Sequence, residues 1–264
     1  MINLPKIIIP CCDDSLPIVK INSFLFDKFW PNAHVNYLGF QPPTYKFYNA
    51  KHEFHSLAEE QEGGASSWTR YVHNYVKTLD DKSVIFWLDD YLLCTEPNME
   101  MIRIALKLME KNAKIGRFDL TFDSQVEGNC AEVGQIAGHS LVAKHPRAPY
   151  RISTQPAIWN REFLLKFLDN NWSPWEFELK GTHQAASEGL EQQTMAFTDR
   201  DLISYPVRTV AKGAVSRFNP GKYNVLGLHA STIKGLVDEG FFTEEDLIWG
   251  QHADQPPDFH DKEG

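Results

Sequence analysis

The sequence predicts an α/β fold, with a mostly parallel central sheet flanked by helices and two functional halves within one domain. Three observations predict it. The apolar runs Lys6–Ile9 and Val84–Leu88 are too short for helices and read as strands buried on both faces. Between and after them lie segments with helical spacing, so strand and helix alternate along the chain. The length of 264 residues, 42% hydrophobic and 23% charged, is enough to bury a sizeable core, as one large domain or two small ones.

Each element has its own local reason. The first strand, Lys6–Ile9, is β-branched and is ended by Pro10, opening onto the loop Cys11-Cys12-Asp13-Asp14-Ser15. A helix follows with Pro17 in its first turn and Val19, Ile21, Leu25, Phe26 and Phe29 inside, stopped by Pro31. Val35, Tyr37 and Gly39 alternate as a second strand. After a loop rich in Pro, Gly and polar residues, Ser66 or Ser67 caps a helix whose apolar face is Trp68, Tyr71, Val72, Tyr75, Val76 and Leu79. Val84–Leu88 then delivers Asp89-Asp90-Tyr91 to its C-terminal end. Pro97 starts a helix through Leu108, and Ile115–Leu120 reads as a further strand. In the second half Asn160 caps a helix over Phe163, Leu164, Phe167 and Leu168. Ser173-Pro174-Trp175-Glu176 is a capping box with Pro at the first helical position. Short strands follow at Met195–Thr198 and Tyr205–Val210.

The net charge is −9, but nine acidic residues against the single base Lys262 fall between Asp238 and Gly264. The body is therefore close to neutral, which argues only weakly against a nucleic-acid partner and not at all against an anionic small molecule. Residues 238–264 form an acidic tail. Positive charge collects instead at Arg208, Lys212, Arg217 and Lys222, a stretch without an acid, read either as a solvated surface or as a phosphate clamp. The four cysteines, Cys11, Cys12, Cys94 and Cys130, include no CxxC pair and point to reduced thiols in a cytoplasmic setting rather than to zinc or a disulfide scaffold. No stretch reaches the roughly 18 apolar residues of a membrane span, and no signal peptide is evident.

The chemistry concentrates at VIFWLDDY. Ligands of open α/β sheets bind at the carboxyl ends of strands, and adjacent carboxylates there cannot both lose water without a cation. Mg²⁺ or Mn²⁺ resolves the conflict; alternatively the two aspartates cap the next turn. Glu176 and Glu178 are candidates for a carboxylate base, with helix capping the competing role for Glu176.

The motifs SSWTRYV, LDDYLL, QPAIWNREFLLKFL, SPWEFE and KGAVSRFNPGK, in that order over roughly residues 6 to 222, resemble nucleotide-sugar-dependent glycosyltransferases of the GT-A type, in particular those that assemble microbial surface polysaccharides. The acidic motif is Leu88-Asp89-Asp90, so the first position of a strict DxD is apolar. The resemblance implies a GT-A, Rossmann-like domain over residues 1–237, with a nucleotide-sugar half (about 1–125) and an acceptor half (about 126–237). It implies an enzyme that transfers a sugar from a nucleoside-diphosphate sugar, UDP-linked, to a glycan or other hydroxyl acceptor, with inversion. Pro10, Cys11, Cys12, Asp13 and Arg70 would hold the nucleotide. Asp90 and Asp89, with His229, would bind Mn²⁺ or Mg²⁺, and Asp89, Arg217 and Lys222 would face the diphosphate. Glu176 would be the base, with Glu178 as the other choice, and Gln155, Trp159 and Trp175 would line the acceptor side. Nucleic acid is not an implied partner, and no oligomeric state is implied. The competing readings are a sugar-phosphate nucleotidyltransferase, disfavoured because Pro10–Leu16 contains no glycine to cradle a triphosphate, and a non-catalytic carbohydrate-binding protein, supported by seven Trp and nine Tyr.

Overall fold

The computed structural model describes residues 4–59, 64–122, 129–190, 192–198, 200–205, 223–224, 230–241, 243 and 247–248. The chain divides into two compact units, Met1–Ser204 and Tyr205–Gly264.

The first unit is built on one mixed sheet, which among the described residues has nine strands. In chain order these are β1 (Ile7–Pro10), β2 (Val35–Gly39), β3 (His52–Ser56), β4 (Ser83–Phe86), β5 (Ile115–Asp119), β6 (Cys130–Ile136), β7 (His139–Lys144), β8 (Ala157–Asn160) and β9 (Gln193–Phe197). Their spatial order is β3-β2-β1-β4-β8-β5-β9-β7-β6. β1 pairs parallel with both β2 and β4, with Ile7 opposite Val35 and Ile85, and β2 pairs parallel with β3. β8 runs antiparallel between β4 and β5, and β5 is parallel to β9. The hairpin β6–β7 closes the far edge through Ala137-Gly138, both at positive φ (53° and 82°), the backbone that suits a tight hairpin turn.

Among the described residues five α-helices cover this sheet: α1 (Leu16–Phe29), α2 (Trp68–Lys77), α3 (Met99–Lys111), α4 (Arg161–Leu168) and α5 (Pro174–Ser187). α1 starts with Pro17 in its first turn and ends before Pro31, as its sequence requires. On the opposite face α2, α4 and α5 bury Val72, Val76, Phe163, Phe167 and Phe177 against Ile8, Val84, Phe86 and Trp159. α3 packs on β5. The alternation along β4 divides the core between the two faces: Val84 and Phe86 point to α2 and α5, whereas Trp87, just beyond the strand, meets Phe26 of α1 edge-on at 5.2 Å.

Two features hold the middle of the sheet. A bulge interrupts the β5–β9 register between Ile115 and Arg117, and at Gly116 a Cβ would lie 2.4 Å from the Phe163 ring, so this glycine is what lets α4 settle on the sheet. Beside it Arg117, fully buried, lies 5.0 Å from the Trp159 ring centre and pairs with Asp119 at 2.8 Å, while Lys144 reaches the same carboxylate at 2.7 Å.

In the second unit the described residues form α6 (Ala230–Asp238), ended by Gly240 at φ 71°, and the short parallel pair β10 (Tyr223–Asn224) and β11 (Leu247–Ile248). Of residues Tyr205–Val210, expected as a strand, only Tyr205 lies among the described residues.

Candidate functional site

The strand order fixes where a ligand can enter. From β1 the chain moves outward to β2 and β3, then returns to place β4 on the other side of β1. Beyond the carboxyl ends of β1 and β4 the connections therefore part in opposite directions and leave a crevice, the usual ligand position in such sheets. The loop Cys11–Ser15 and the turn Asp89–Tyr91 border it.

Cys11 continues β1, its N–H donating to the Leu38 carbonyl at 2.8 Å and its thiol lying 3.3 Å from the same oxygen. Gly39 makes this closeness possible, because a Cβ there would lie 3.1 Å from Cys11 Sγ and 2.8 Å from the Phe54 ring. Burial first, then the neighbouring Asp89, Cys12 and Asp13, push the Cys11 thiol well above its ordinary range, so it stays protonated. Asp13 accepts the Gln41 N–H at 3.0 Å, joining the β1 loop to the end of β2. Ser15 bonds the Cys12 carbonyl at 2.7 Å and also interacts with the Asp89 side chain.

The two aspartates lie beside this loop. Both are raised above the usual carboxylate range: Asp89 by burial, Asp90 by burial, then by Asp89, then by Glu178. Asp90 Oδ1 is buried and has no hydrogen-bond partner. A half-buried carboxylate pair with an orphaned oxygen fits a proton or a hard cation, and its donor set suits Mg²⁺ or Mn²⁺. Among the described residues no group of three or more His, Cys, Asp or Glu converges on a metal position, so a cation here would draw its remaining ligands from the bound molecule or from water.

Glu178 comes to Asp90 from α5. Its Oε1 accepts the Thr154 N–H at 2.7 Å and the Thr154 hydroxyl at 2.8 Å, which fixes the carboxylate at the start of β8. Antiparallel β8 is what brings Thr154 to this edge, since its first residue, Ala157, pairs with Phe86 near the end of β4. The loop before β8 is anchored beneath: Arg117 donates to the Arg151 carbonyl (2.9 Å), Ser153 Oγ (2.8 Å) and the Gln155 carbonyl (3.4 Å).

The sequence-predicted residues separate accordingly. Pro10, Cys11, Cys12, Asp13, Asp89 and Asp90 gather at the crevice, with Glu178 beside Asp90. Gln155 lies in the anchored loop. Glu176 is turned to its own helix: it accepts the Ser173 N–H at 2.9 Å and the Lys180 ammonium at 2.6 Å, which together hold it down at about 2. Trp175 is 62% exposed on the first turn of α5. Trp159 is withdrawn from any binding surface, fully buried against Phe163, Phe167 and Phe177. Arg70 is exposed and lies over the Tyr71 ring at 5.1 Å, while Tyr71 itself packs edge-on against Phe40 at the end of β2. Arg217, Lys222 and His229 lie outside the described residues.

Sequence reasoning missed Ser15, Asn22 and Thr154, all common polar residues without a motif. Only Asn22 left a signal, an amide within the apolar stripe of α1. A concavity of about 490 Å³ among α2, α4 and α5, bordered by His73, Glu162 and Glu188, contains none of the predicted site residues.

No protein-family model and no curated protein sequence matches the chain. Solved structures similar to it include Staphylococcus aureus TarS, at 12% identity over 77% of this chain and 36% of that one, with a TM-score of 0.46. A cytidylyltransferase from Leptospira borgpetersenii serovar Hardjo-bovis is similar at 10% identity over 93% of this chain and 98% of that one, with a TM-score of 0.44. A UDP-glucose pyrophosphorylase complexed with UDP-glucose is similar at 10% identity over 77% and 92% of the two chains, with a TM-score of 0.43.

Proposed function

We propose that this chain is a metal-dependent glycosyltransferase that moves a sugar from a nucleoside-diphosphate sugar, UDP-linked by preference, to a hydroxyl acceptor with inversion. One observation carries the reading: the half-buried Asp89–Asp90 pair at the β1–β4 switch point has a buried, unpartnered oxygen on Asp90, and a third carboxylate, Glu178, anchored separately by Thr154, acts on Asp90 electrostatically.

In this reading Asp90, with Asp89, holds Mn²⁺ or Mg²⁺ on the donor diphosphate, and Cys11, Cys12 and Asp13 border the nucleoside. When bound, such a cation neutralises charge developing on the departing diphosphate. Glu178 takes the proton of the acceptor hydroxyl as it attacks the anomeric carbon. Glu178 is favoured over Glu176, because Glu176 is committed to Ser173 and Lys180 whereas the charge of Glu178 is felt at Asp90. Thr154 keeps the base from swinging away, and Trp175, exposed one turn earlier on α5, offers an apolar face to an acceptor sugar.

The test is release of nucleoside diphosphate from a panel of nucleotide sugars with Mn²⁺. The wild type should hydrolyse at least one donor slowly without acceptor. Asp90→Asn should lose Mn²⁺-dependent nucleotide binding in calorimetry, and Glu178→Gln should keep that binding while turnover with acceptor falls by a factor of about 10²–10⁴. Metal-independent nucleotide binding unaffected by Asp90→Asn would remove the reading, and glycan binding without nucleotide affinity would replace it with a carbohydrate-binding protein.

A further inference from the structure

We infer that Asn22 is a positioning residue for the Asp89–Asp90 turn: from the middle of α1 its amide clamps the backbone that carries the two carboxylates. The inference rests on the proposed function for what the carboxylates hold, and on the structure alone for the clamp.

Asn22 is fully buried on α1 among Val19, Ile21, Leu25 and Phe26. A buried amide among apolar side chains costs stability unless its donors and acceptor are all used. Here they are used on distant chain. Asn22 Nδ2 donates to the Asp89 carbonyl at 3.2 Å and to the Tyr91 carbonyl at 3.4 Å. Its Oδ1 accepts the Tyr37 hydroxyl at 3.0 Å, and the two carbonyls decide which way the amide faces, because the flipped amide would set its oxygen against both of them. The Tyr91 carbonyl takes a second donor, the Trp87 indole N–H, at 2.6 Å. The turn closes on itself through Tyr91 N–H to the Leu88 carbonyl at 3.2 Å.

Asp89 and Asp90 stand side by side in a half-buried turn, and the backbone that carries them is tied inward on both sides of Asp90. Asn22 and Trp87 supply the tie, and Tyr37 holds Asn22. Groups that hold a metal ligand in place from behind generally govern affinity by 10–100-fold. The same is expected at one remove here, through the peptide groups that flank Asp90.

Two measurements on the full chain test the inference. In metal-free protein, hydrogen–deuterium exchange over residues 87–94 should quicken at least about tenfold in Asn22→Leu and more modestly in Tyr37→Phe, with exchange over β5 and β8 unchanged. Mn²⁺ titration followed by electron paramagnetic resonance, with UDP present, should show affinity weakened about tenfold or more in Asn22→Leu and by a smaller factor in Tyr37→Phe. Asn22→Gln, which retains an amide, should recover part of the loss. Unchanged exchange over 87–94, or wild-type Mn²⁺ affinity in folded Asn22→Leu, would overturn the inference. If Asn22→Leu does not fold, Tyr37→Phe decides on the same two readouts. A wild type that takes up no Mn²⁺ would overturn the proposed function, and the clamp is then decided by exchange over 87–94 alone.

Discussion

At the scale of single residues, the buried polar groups are the most informative, because each must be satisfied or must repay its cost elsewhere. His52 on β3 is 4% exposed; its Nδ1 lies 2.8 Å from Ser23 Oγ, and its Nε2 is buried without a partner. Burial lowers it from 6.5 to about 4, against a smaller upward pull from Asp27. The folded chain thus prefers neutral His52, while the unfolded chain protonates it near 6.5. The stabilisation is fully present above pH 6.5 and is lost as pH falls toward 4, amounting to roughly 3 kcal/mol across that window. Urea unfolding between pH 4 and 7 should show this limb, and His52→Gln should flatten it. Arg151 binds more widely: the two terminal nitrogens of its buried guanidinium donate to the carbonyls of Pro146, Ala185, Leu190 and Gln192, joining the loop before β8, the end of α5 and the approach to β9, while its Nε is buried without a partner. Neither residue was legible in the sequence, because a histidine in HEFHS and an arginine after a tyrosine carry no periodicity.

At the scale of elements, legibility followed pattern strength. β1, α1, β2, α2, β4, β5, α4, α5 and β9 were all anticipated, by apolar runs, helical spacing or caps. The Asn160 cap accepts from the Phe163 N–H at 3.0 Å, and the Ser173–Glu176 box forms as its spacing demands. Four strands were not. β3 reads as polar loop because, as an outer strand, it keeps Glu53 and Ser56 exposed. β6 forms the other edge with Ala131–Gln135 all exposed, so no face of it alternates, and its partner β7 is recognisable only through it. β8, four residues long, is hidden against the cap of α4. Close packing adds a requirement that no pattern reveals. Gly116→Ala would drive a methyl into Phe163 and should destabilise the fold by about 1–3 kcal/mol in chemical denaturation, an overpacking cost. A comparable change at Gly138, where a Cβ would meet nothing within 4 Å, meets only the backbone penalty of positive φ.

For the molecule as a whole, the proposed function makes the carboxylate pair a link between stability and ligand binding. Asp89 and Asp90 are raised, so their ionised forms are disfavoured in the fold, and the stability they forfeit grows as pH rises through their raised values. In metal-free protein at pH 8, Asp90→Asn should therefore melt higher than wild type, by about 2–4 °C for each kcal/mol relieved. With UDP and Mn²⁺ at about a hundred times the dissociation constant, the wild type should gain about 2.7 kcal/mol, or roughly 5–10 °C, and Asp90→Asn should gain almost nothing. Differential scanning calorimetry reads both. The acidic pair was legible from its place after an apolar strand, and Glu178 from SPWEFE. The proposal that prefers it to Glu176 was not legible, because it depends on Thr154, in the loop before a strand whose direction the sequence does not disclose.

That direction constrains how the chain can diversify. Because β8 runs against both neighbours and the loop leading into it reaches Glu178, lengthening the strand by one position would turn Trp159 toward the wrong face and pull Thr154 off Glu178 together. Under the proposed function, relatives with altered acceptor preference should therefore vary in the segment upstream of Ala157 and keep the four-residue strand at fixed length.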